Sequence, residues 1–266
     1  MRFLAHCTSI LLAVWALTAP AAAQDMLDQV DLSSPAFTQA EMTRADIESG
    51  LHALKSGDKL DLSAKSLNGL DLSGLDLRNA ILQSARLNKS KLNGANLAGV
   101  NLDQAWGLGA DLTGANLSKA SLFGSQFVGA TADNADFSGA HIAADFSRAS
   151  LKGARFDGAD LSADMKNQSM GLMRGVFKSA NLTSASFANS NLARVVLEFA
   201  NLTDATLTGA NLMGSELAGA NFTGADVAGA NFNEADVTST RLTGLKNASA
   251  ALNLDHVKNA DRAIHD

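Results

Sequence analysis

From residue 201 to 236 the chain reads NLTDA TLTGA NLMGS ELAGA NFTGA DVAGA NFNEA D. A large apolar residue falls at every fifth place: Leu202, Leu207, Leu212, Leu217, Phe222, Val227 and Phe232. Two places before each stands a small one: Ala200, Ala205, Ala210, Ser215, Ala220, Ala225 and Ala230. A helix repeats at 3.6 residues and a flat strand at 2, so a period of five fits neither. A fixed short period in tandem is the mark of a repeat architecture, in which each unit buries its apolar face by stacking on the next.

The pattern runs from Leu62 to Leu242. Up to Ile142 the spacing never breaks, and every centre is Leu, Ile or Phe apart from Gly107 and Ala132. Trp106 and Leu108 flank Gly107, so a neighbour is expected to fill the gap. The spacing then shortens once, because Phe146 follows Ile142 by four residues. It lengthens once, because Leu172 follows Leu161 by eleven residues where two repeats need ten. On this reading a deletion near 143–145 and a one-residue insertion within 162–171 cancel. A shaft absorbs an insertion by bulging outward. The expected bulge, Ala163 to Met170, makes Asp164, Met165, Lys166, Asn167, Gln168 and Met170 the candidate partner-contact residues.

The ends read differently. Arg2, the apolar run Ser9–Leu17 and the small residues Ala21-Ala22-Ala23 form the three regions of a secretory signal over 1–23. The apolar run is too short to span a bilayer. The expectation is an exported protein, periplasmic or secreted after cleavage near Ala23, with no membrane insertion. Loss of Arg2 with the signal leaves 20 basic against 27 acidic residues, a net charge of −7. That balance argues against a general grip on nucleic acid or anionic lipid. Cys7 is the only cysteine and lies inside the signal, so no disulfide is expected.

Residues 24–59 form an N-terminal segment in which Ser33-Ser34-Pro35 marks a turn or helix start. Thr43 with Asp46 fits a capping box, and Ile47, Leu51 and Leu54 follow on one helical face. The spacing predicts a helix over 44–56 that covers the first layer of the repeats. At the other end, over 245–266, Leu254, Val257, Ala260 (or Asp261) and Ile264 predict a second, helical cap.

The motif Ala-(Asp/Asn)-Leu-x-x, as in Ala95-Asn96-Leu97, Ala110-Asp111-Leu112 and Ala220-Asn221-Phe222, resembles the pentapeptide repeat family over roughly 60–244. The resemblance implies an all-β solenoid, a right-handed quadrilateral parallel β-helix with one pentapeptide per side and four per coil. The centre and the small residue before it then point inward, and the other three positions face out. About nine coils at ~4.8 Å each make a shaft about 43 Å long. A narrow shaft admits one large side chain per side, so its inward companion must be small. The large residues before the first centres, Leu60, Lys65, Leu70 and Leu75, suggest a wider first coil. Four sides per coil place Phe137, Phe156 and Phe177 on one face and Phe127 with Phe146 on the opposite one, with Phe187 following them after the irregular coil.

No catalytic constellation emerges. Most Asp residues occupy the repeat's own Asp/Asn slot, where short polar side chains bond nearby backbone. His52, His141, His256 and His265 have no metal-ligand spacing, and Met165, Met170 and Met173 fit irregular packing better than Cu(I) binding. Tyrosine is absent, so stacking platforms for sugars are scarce. The reading is a non-enzymatic scaffold, without cofactor or metal, that binds another protein. The resemblance adds two further expectations: a homodimer through the C-terminal end, and, as an alternative function, imitation of duplex DNA before a DNA gyrase-like target. A third class is a β-helix carbohydrate binder or enzyme. One continuous acidic stripe would favour DNA mimicry, whereas mixed charge favours scaffolding.

Overall fold

The computed structural model describes residues 30–165 and 173–265. The chain divides into two units, Met1–Leu32 and Ser33–Asp266. The signal expected over 1–23 lies outside the described residues. The second unit opens with helix α1 (Pro35–Thr38) and helix α2 (Arg44–His52). Strands β1 (Leu60–Asp61) and β2 (Ala80–Ile81) then pair in parallel.

Most of the chain after β1 is a ladder of single parallel bridges, twenty residues apart as a rule. Ser66 bridges Arg86, Asp71 bridges Lys91 and Asp76 bridges Asn96, and the same offset carries on from rung to rung. Twenty residues are four pentapeptides, so the chain returns to the same side after every fourth repeat. The sides are numbered here in chain order from their first centres, Leu62, Leu67, Leu72 and Leu77. The backbone explains the stacking. Leu97 donates its N–H to Asn116 of the next coil (2.7 Å), and Asn116 donates back to Ala95 (2.9 Å). Each side thus satisfies its neighbours and closes a β-helical solenoid, leaving few polar backbone groups without partners.

The inside follows the five-residue rule. The central Leu, Phe and Val residues and the preceding alanines are buried, with Leu97, Leu112, Phe137, Leu202 and Phe222 at 0% exposure. Corners are β-turns in which the small residue donates to the preceding centre, as Ala95 does to Leu92 (2.9 Å). The last residue of most repeats sits in the left-handed region: Gly94 (φ 65°), Gln104 (φ 59°) and Phe199 (φ 58°) are examples. Glycine adopts that region freely, and other L-residues do so at a cost that is worst for β-branched ones. None of the non-glycine residues found there is Val, Ile or Thr.

Gly107 has a physical reason. The ring of Phe127, its neighbour on the next coil of the second side, would come within 2.3 Å of a Cβ at that place. The gap is filled from the coil above and not by Trp106 or Leu108. Phe127 then begins an aromatic stack, with Phe127–Phe146 at 5.3 Å and Phe146–Phe177 at 5.6 Å. On the opposite side Phe137–Phe156 lie 4.9 Å apart and Phe156–Phe187 4.8 Å. This corrects the expected assignment: Phe177 stacks on Phe146, and Phe187 on Phe156.

The cause is the length of the insertion. Asp145 bridges Val176, and Asp160 bridges Asn191, each 31 residues on where 20 is the rule. Eleven residues, not one, therefore leave the ladder between the rungs Asp160 and Val176. The repeat centre expected at Leu172 lies outside the described residues, and among the described residues the ladder has no rung between those two. The shortening is as expected: Gln126 bridges Asp145 at an offset of 19. Ala143 and Ala144 are buried in that tightened corner. Both irregularities fall at the same corner, between the first and second sides, in successive coils.

Helix α2 has the expected capping box. Thr43 accepts from the Asp46 N–H, and the Asp46 carboxylate accepts from the Thr43 N–H (2.8 Å). It ends at His52 with Ala53 as its C-cap, short of 56, and Lys55–Asp58 closes a separate turn. Ile47 is fully buried in the core cluster, and Gly50 lies so close to Leu60 that a Cβ would sit 2.9 Å from its Cδ1. At the C-terminal end the structure departs from the predicted helix. Three separate 3-10 turns, Ala248–Ala250, Leu254–His256 and Ala260–Arg262, alternate with the rungs Leu252, Lys258 and Ile264. Each side there has six residues, because Asn247, Asn253 and Asn259 take left-handed conformations ahead of the turns. The spacing of Leu254, Val257 and Ala260 imitates a helix, but the asparagine period of six marks the true repeat.

The inward assignment is testable. Ala210 is buried at 1% exposure and Thr208 is exposed. Ala210→Phe should destabilise by about 1–3 kcal/mol or more through overpacking, while Thr208→Phe should stay within about 0.5 kcal/mol. Gly107→Ala should fall with the former, since the Phe127 ring has to move. Urea unfolding monitored by circular dichroism measures all three; equal midpoints at 208 and 210 would reject the assignment.

Candidate interaction surface

The outer walls are built by the Asp/Asn slot before each centre. In the simplest case its side chain folds over the corner of its own repeat. Asp111 Oδ1 accepts from the Thr113 N–H (3.0 Å) and hydroxyl (2.6 Å), and Asn181, Asn201 and Asn221 serve Thr183, Thr203 and Thr223 in the same way. The carboxyl of Asp71 is held below its ordinary range by the side chain and then the N–H of Ser73. A different scheme joins coils. Asp103, Asp133 and Asp157, one place after a centre, accept from the backbone N–H of Phe123, Lys152 and Ala188 on the next coil.

The second side breaks this rule. Over its first four coils the slot residues are Ser66, Arg86, Trp106 and Gln126, none of them Asp or Asn; Asp145 is the first acid on this side. The N–H groups left without a local carboxylate are met from the coil before: Asn68 Oδ1 accepts from the Asn88 N–H (3.1 Å), and Asn88 Oδ1 from the Leu108 N–H (2.9 Å). Their amide nitrogens point to a strap, Ser33–Glu41. Asn68 Nδ2 donates to the carbonyls of Ala36 (2.9 Å) and Gln39 (3.1 Å), and Asn88 Nδ2 to that of Phe37 (3.3 Å). The Phe37 ring meets Trp106 edge to face at 5.0 Å. Ala40 makes an antiparallel bridge to Leu67, and Glu41 pairs with Lys65 (2.9 Å). The sequence marks only a turn or helix start here, at Ser33-Ser34-Pro35. The signal for the strap was the absence of Asp/Asn from this slot in four successive coils, Ser66 to Gln126, visible only once the coil is known to hold four repeats.

The expected contact site is placed in part. Asp164 and Met165 are described; Lys166, Asn167, Gln168 and Met170 lie outside the described residues. Asp164 donates its N–H to Met173 (3.0 Å), and Gly175 donates to Leu161 (3.0 Å), so the two ends of the excursion are tied at its base. Met165 is exposed at 47%. Arg174 donates to the Arg194 carbonyl (3.0 Å) and pairs with Glu216 (3.0 Å), spanning the Val196 rung on the second side. Phe199, at a left-handed corner one coil on, is exposed at 62%.

The histidines do not converge. His52 Nδ1 meets the Glu48 carbonyl (2.7 Å), His141 lies 3.8 Å from Asp160, and His256 pairs with Asp255. Among the described residues no group of three His, Cys, Asp or Glu could hold a metal ion, and no helix is long and apolar enough to cross a membrane.

A family model described as pentapeptide repeats matches residues 61–105, 109–141, 142–163, 180–217 and 207–244. No curated protein sequence matches. Among solved structures the chain is similar to HetL, a pentapeptide repeat protein involved in heterocyst differentiation regulation from the cyanobacterium Nostoc sp. strain PCC 7120. That match has 28% identity over 84% of this chain and 100% of that one, with a TM-score of 0.45. It is also similar to QnrB1, a plasmid-mediated fluoroquinolone resistance protein, at 19% identity over 78% and 92% of the two chains, TM-score 0.35. A pentapeptide repeat protein of the Arabidopsis thaliana thylakoid lumen matches at 32% identity over 41% and 65%, TM-score 0.27.

The last coil is held by charge as well as by its bridges. Asn247 Nδ2 donates to Asp226 Oδ1 (2.9 Å), and that bond, with the Ala228 N–H, lowers the Asp226 carboxyl below its ordinary range. The folded value lies below the unfolded one, so the stability is present above the unfolded value and lost as pH falls through the folded one. Protection of the Lys246–Ile264 amides should therefore drop as pH falls below about 4. Hydrogen exchange corrected for intrinsic rates should show a shallower drop in Asp226→Asn; the same pH profile in both proteins would remove this carboxylate from the account.

Proposed function

Since the chain belongs to the pentapeptide repeat family, we propose that it is an exported, non-enzymatic scaffold whose outer walls bind another protein. Family membership points to a structural or binding role and away from catalysis. In this reading the shaft is a right-handed, four-sided β-helix of about nine coils, with helix α2 as its amino-terminal cap. The base of the excursion, at Asp164, Met165 and Arg174, marks one contact region. A homodimer contact would use the last coil, where Leu252 and Ile264 are exposed.

One observation carries the choice of partner class. Along every ladder the acidic rungs are interspersed with neutral or basic ones. The third side runs Asp71, Lys91, Asp111, Thr131 and Ser150 to Asn181, and the fourth runs Asp76, Asn96, Asn116, Asp136 and Arg155 to Ser186. No ladder carries more than two acidic rungs in succession, the pair being Glu216 and Asp236. Ion pairs such as Lys152–Asp133, Arg155–Asp157 and Lys178–Glu198 interleave the remaining charges. DNA mimicry needs an unbroken acidic wall, and carbohydrate binding needs several open aromatic platforms; Trp106 is engaged by Phe37, and among the described residues Phe199 is the one exposed phenylalanine or tryptophan. Mixed, rigid, regularly spaced walls suit recognition of a folded protein.

Three measurements test this reading. The mature chain used as bait in a cell-envelope extract should retain a specific protein, with capture weakened by Met165→Ser and Arg174→Ala together. It should leave DNA gyrase supercoiling unaffected, and inhibition at comparable concentration would move the assignment to DNA mimicry. Protein recovered from the envelope should begin near Gln24. A chain beginning at Met1 there would overturn the export reading.

A further inference from the structure

The strap Ser33–Glu41 is bound to the shaft as a peptide ligand is bound. Its chain is recognised through its backbone: three of its carbonyls, Ala36, Phe37 and Gln39, accept from the amides of Asn68 and Asn88. The Glu41 N–H donates to Ser66 (2.9 Å), and Ser66 Oγ donates to Ala36 (3.2 Å). One side chain of the strap makes a specific apolar contact, Phe37 on Trp106. This division, main-chain bonds for affinity and one anchored side chain for specificity, is the logic of extended-peptide recognition.

The surface beneath is prepared independently of the strap. Asn68 and Asn88 are fixed through their Oδ1 atoms, which cap the N–H groups of the following coil, so their donors stay aimed outward whether or not a peptide is present. Ser66 is fixed likewise by Arg86 Nε (2.9 Å). Ser66, Asn68 and Asn88 lie at 4–5% exposure beneath the strap and donate to its carbonyls, and all are groups that water can solvate. The strap buries little of itself: α1 has no buried residue, and Ser33, Pro35, Ala36, Thr38, Gln39, Ala40 and Glu41 are all exposed. A segment with so little apolar burial belongs to the low-stability end of a fold.

We propose that the second side from Ser66 to Leu108 is a peptide-binding groove closed by the chain's own strap. When the strap lifts, the groove takes an extended segment of a partner protein that carries an aromatic side chain where Phe37 now sits. The occupant's chemistry is read from the strap itself: an unbranched run of backbone carbonyls for Asn68 and Asn88, and one ring for Trp106. The proposal rests on the scaffold reading only in taking the partner to be a protein.

The probe is a fluorescent synthetic peptide with the sequence of residues 33–41, added to the full chain. Phe37→Ala loosens the strap and leaves the groove intact. That variant should bind the peptide about tenfold or more tightly relative to the unmodified chain, the scale of losing one aromatic anchor. Adding Trp106→Ala should abolish the gain, as should Ala in place of Phe in the peptide. Equal binding by the unmodified chain and Phe37→Ala, or none by either, overturns the proposal. So does a Phe37→Ala protein whose shaft unfolds, since the strap would then be part of the folded body. In the unmodified protein, the Glu41 amide should exchange about a hundredfold faster than those of Leu87 and Leu92, reflecting local opening; equal protection overturns the proposal as well. Peptide binding without any captured envelope protein would retire the scaffold reading and keep the groove. Capture without peptide binding would do the reverse.

Discussion

The backbone bonds of this protein run along the shaft, from each coil to the next, and the rest of the structure answers to that commitment. Asn116 donates down to Ala95 of the coil below while Leu97 of that coil donates up to it, and no rung closes its bonds within its own coil. Side chains then have only two tasks. Those inside must fill a narrow shaft, which is why Phe127 can be large only where Gly107 has no side chain at all. Those outside must hold the corners, which the Asp/Asn slot does by bonding the turn it precedes. Both ends of such a stack present open rungs. Helix α2 lies against the first coil through Ile47 and Gly50, and the six-residue sides after Lys246 continue the ladder to Ile264.

Much of this was legible in the sequence because the inward rule is strict and local. Leu97, Ala95 and their equivalents reveal their burial by position alone, as do the capping box of Thr43 and Asp46 and the shortened corner at 143–145. What failed depended on register across the irregular coil. A spacing of eleven from Leu161 to Leu172 looks like two repeats plus one residue, and nothing in those residues says that the chain has left the ladder. The bridge from Asp160 to Asn191 says so, and it re-pairs the phenylalanines. The C-terminal asparagines were missed for a related reason: a period of six over three units also yields apolar residues at helical spacing.

The strap was illegible for a different physical cause. Its residues carry little pattern because it buries little. The information sits in the wall it covers, spread over Ser66, Asn68, Asn88 and Trp106, twenty residues apart. A sequence window cannot join those positions until the coil length is known. Of the expected contact residues, Asp164 and Met165 stand at the base of the excursion, and Arg174, which no motif singled out, spans the Val196 rung beside them. Arginine gave no local signal because its partners, Arg194 and Glu216, belong to later coils.

The excursion also says something about how this fold keeps count. In a coiled coil, an insertion displaces every later residue from its partner until a compensating change restores the phase. Here eleven extra residues pass between Asp160 and Val176, one residue is missing a coil earlier, and Val176 still bridges Val196 at the ordinary offset of twenty. Position is set afresh at each rung by the coil below, so an error in length is forgotten after a single corner. A chain of this kind can lengthen or shorten at its corners over evolutionary time without renegotiating its core, and its history of such changes is written as loops on an otherwise unchanged shaft.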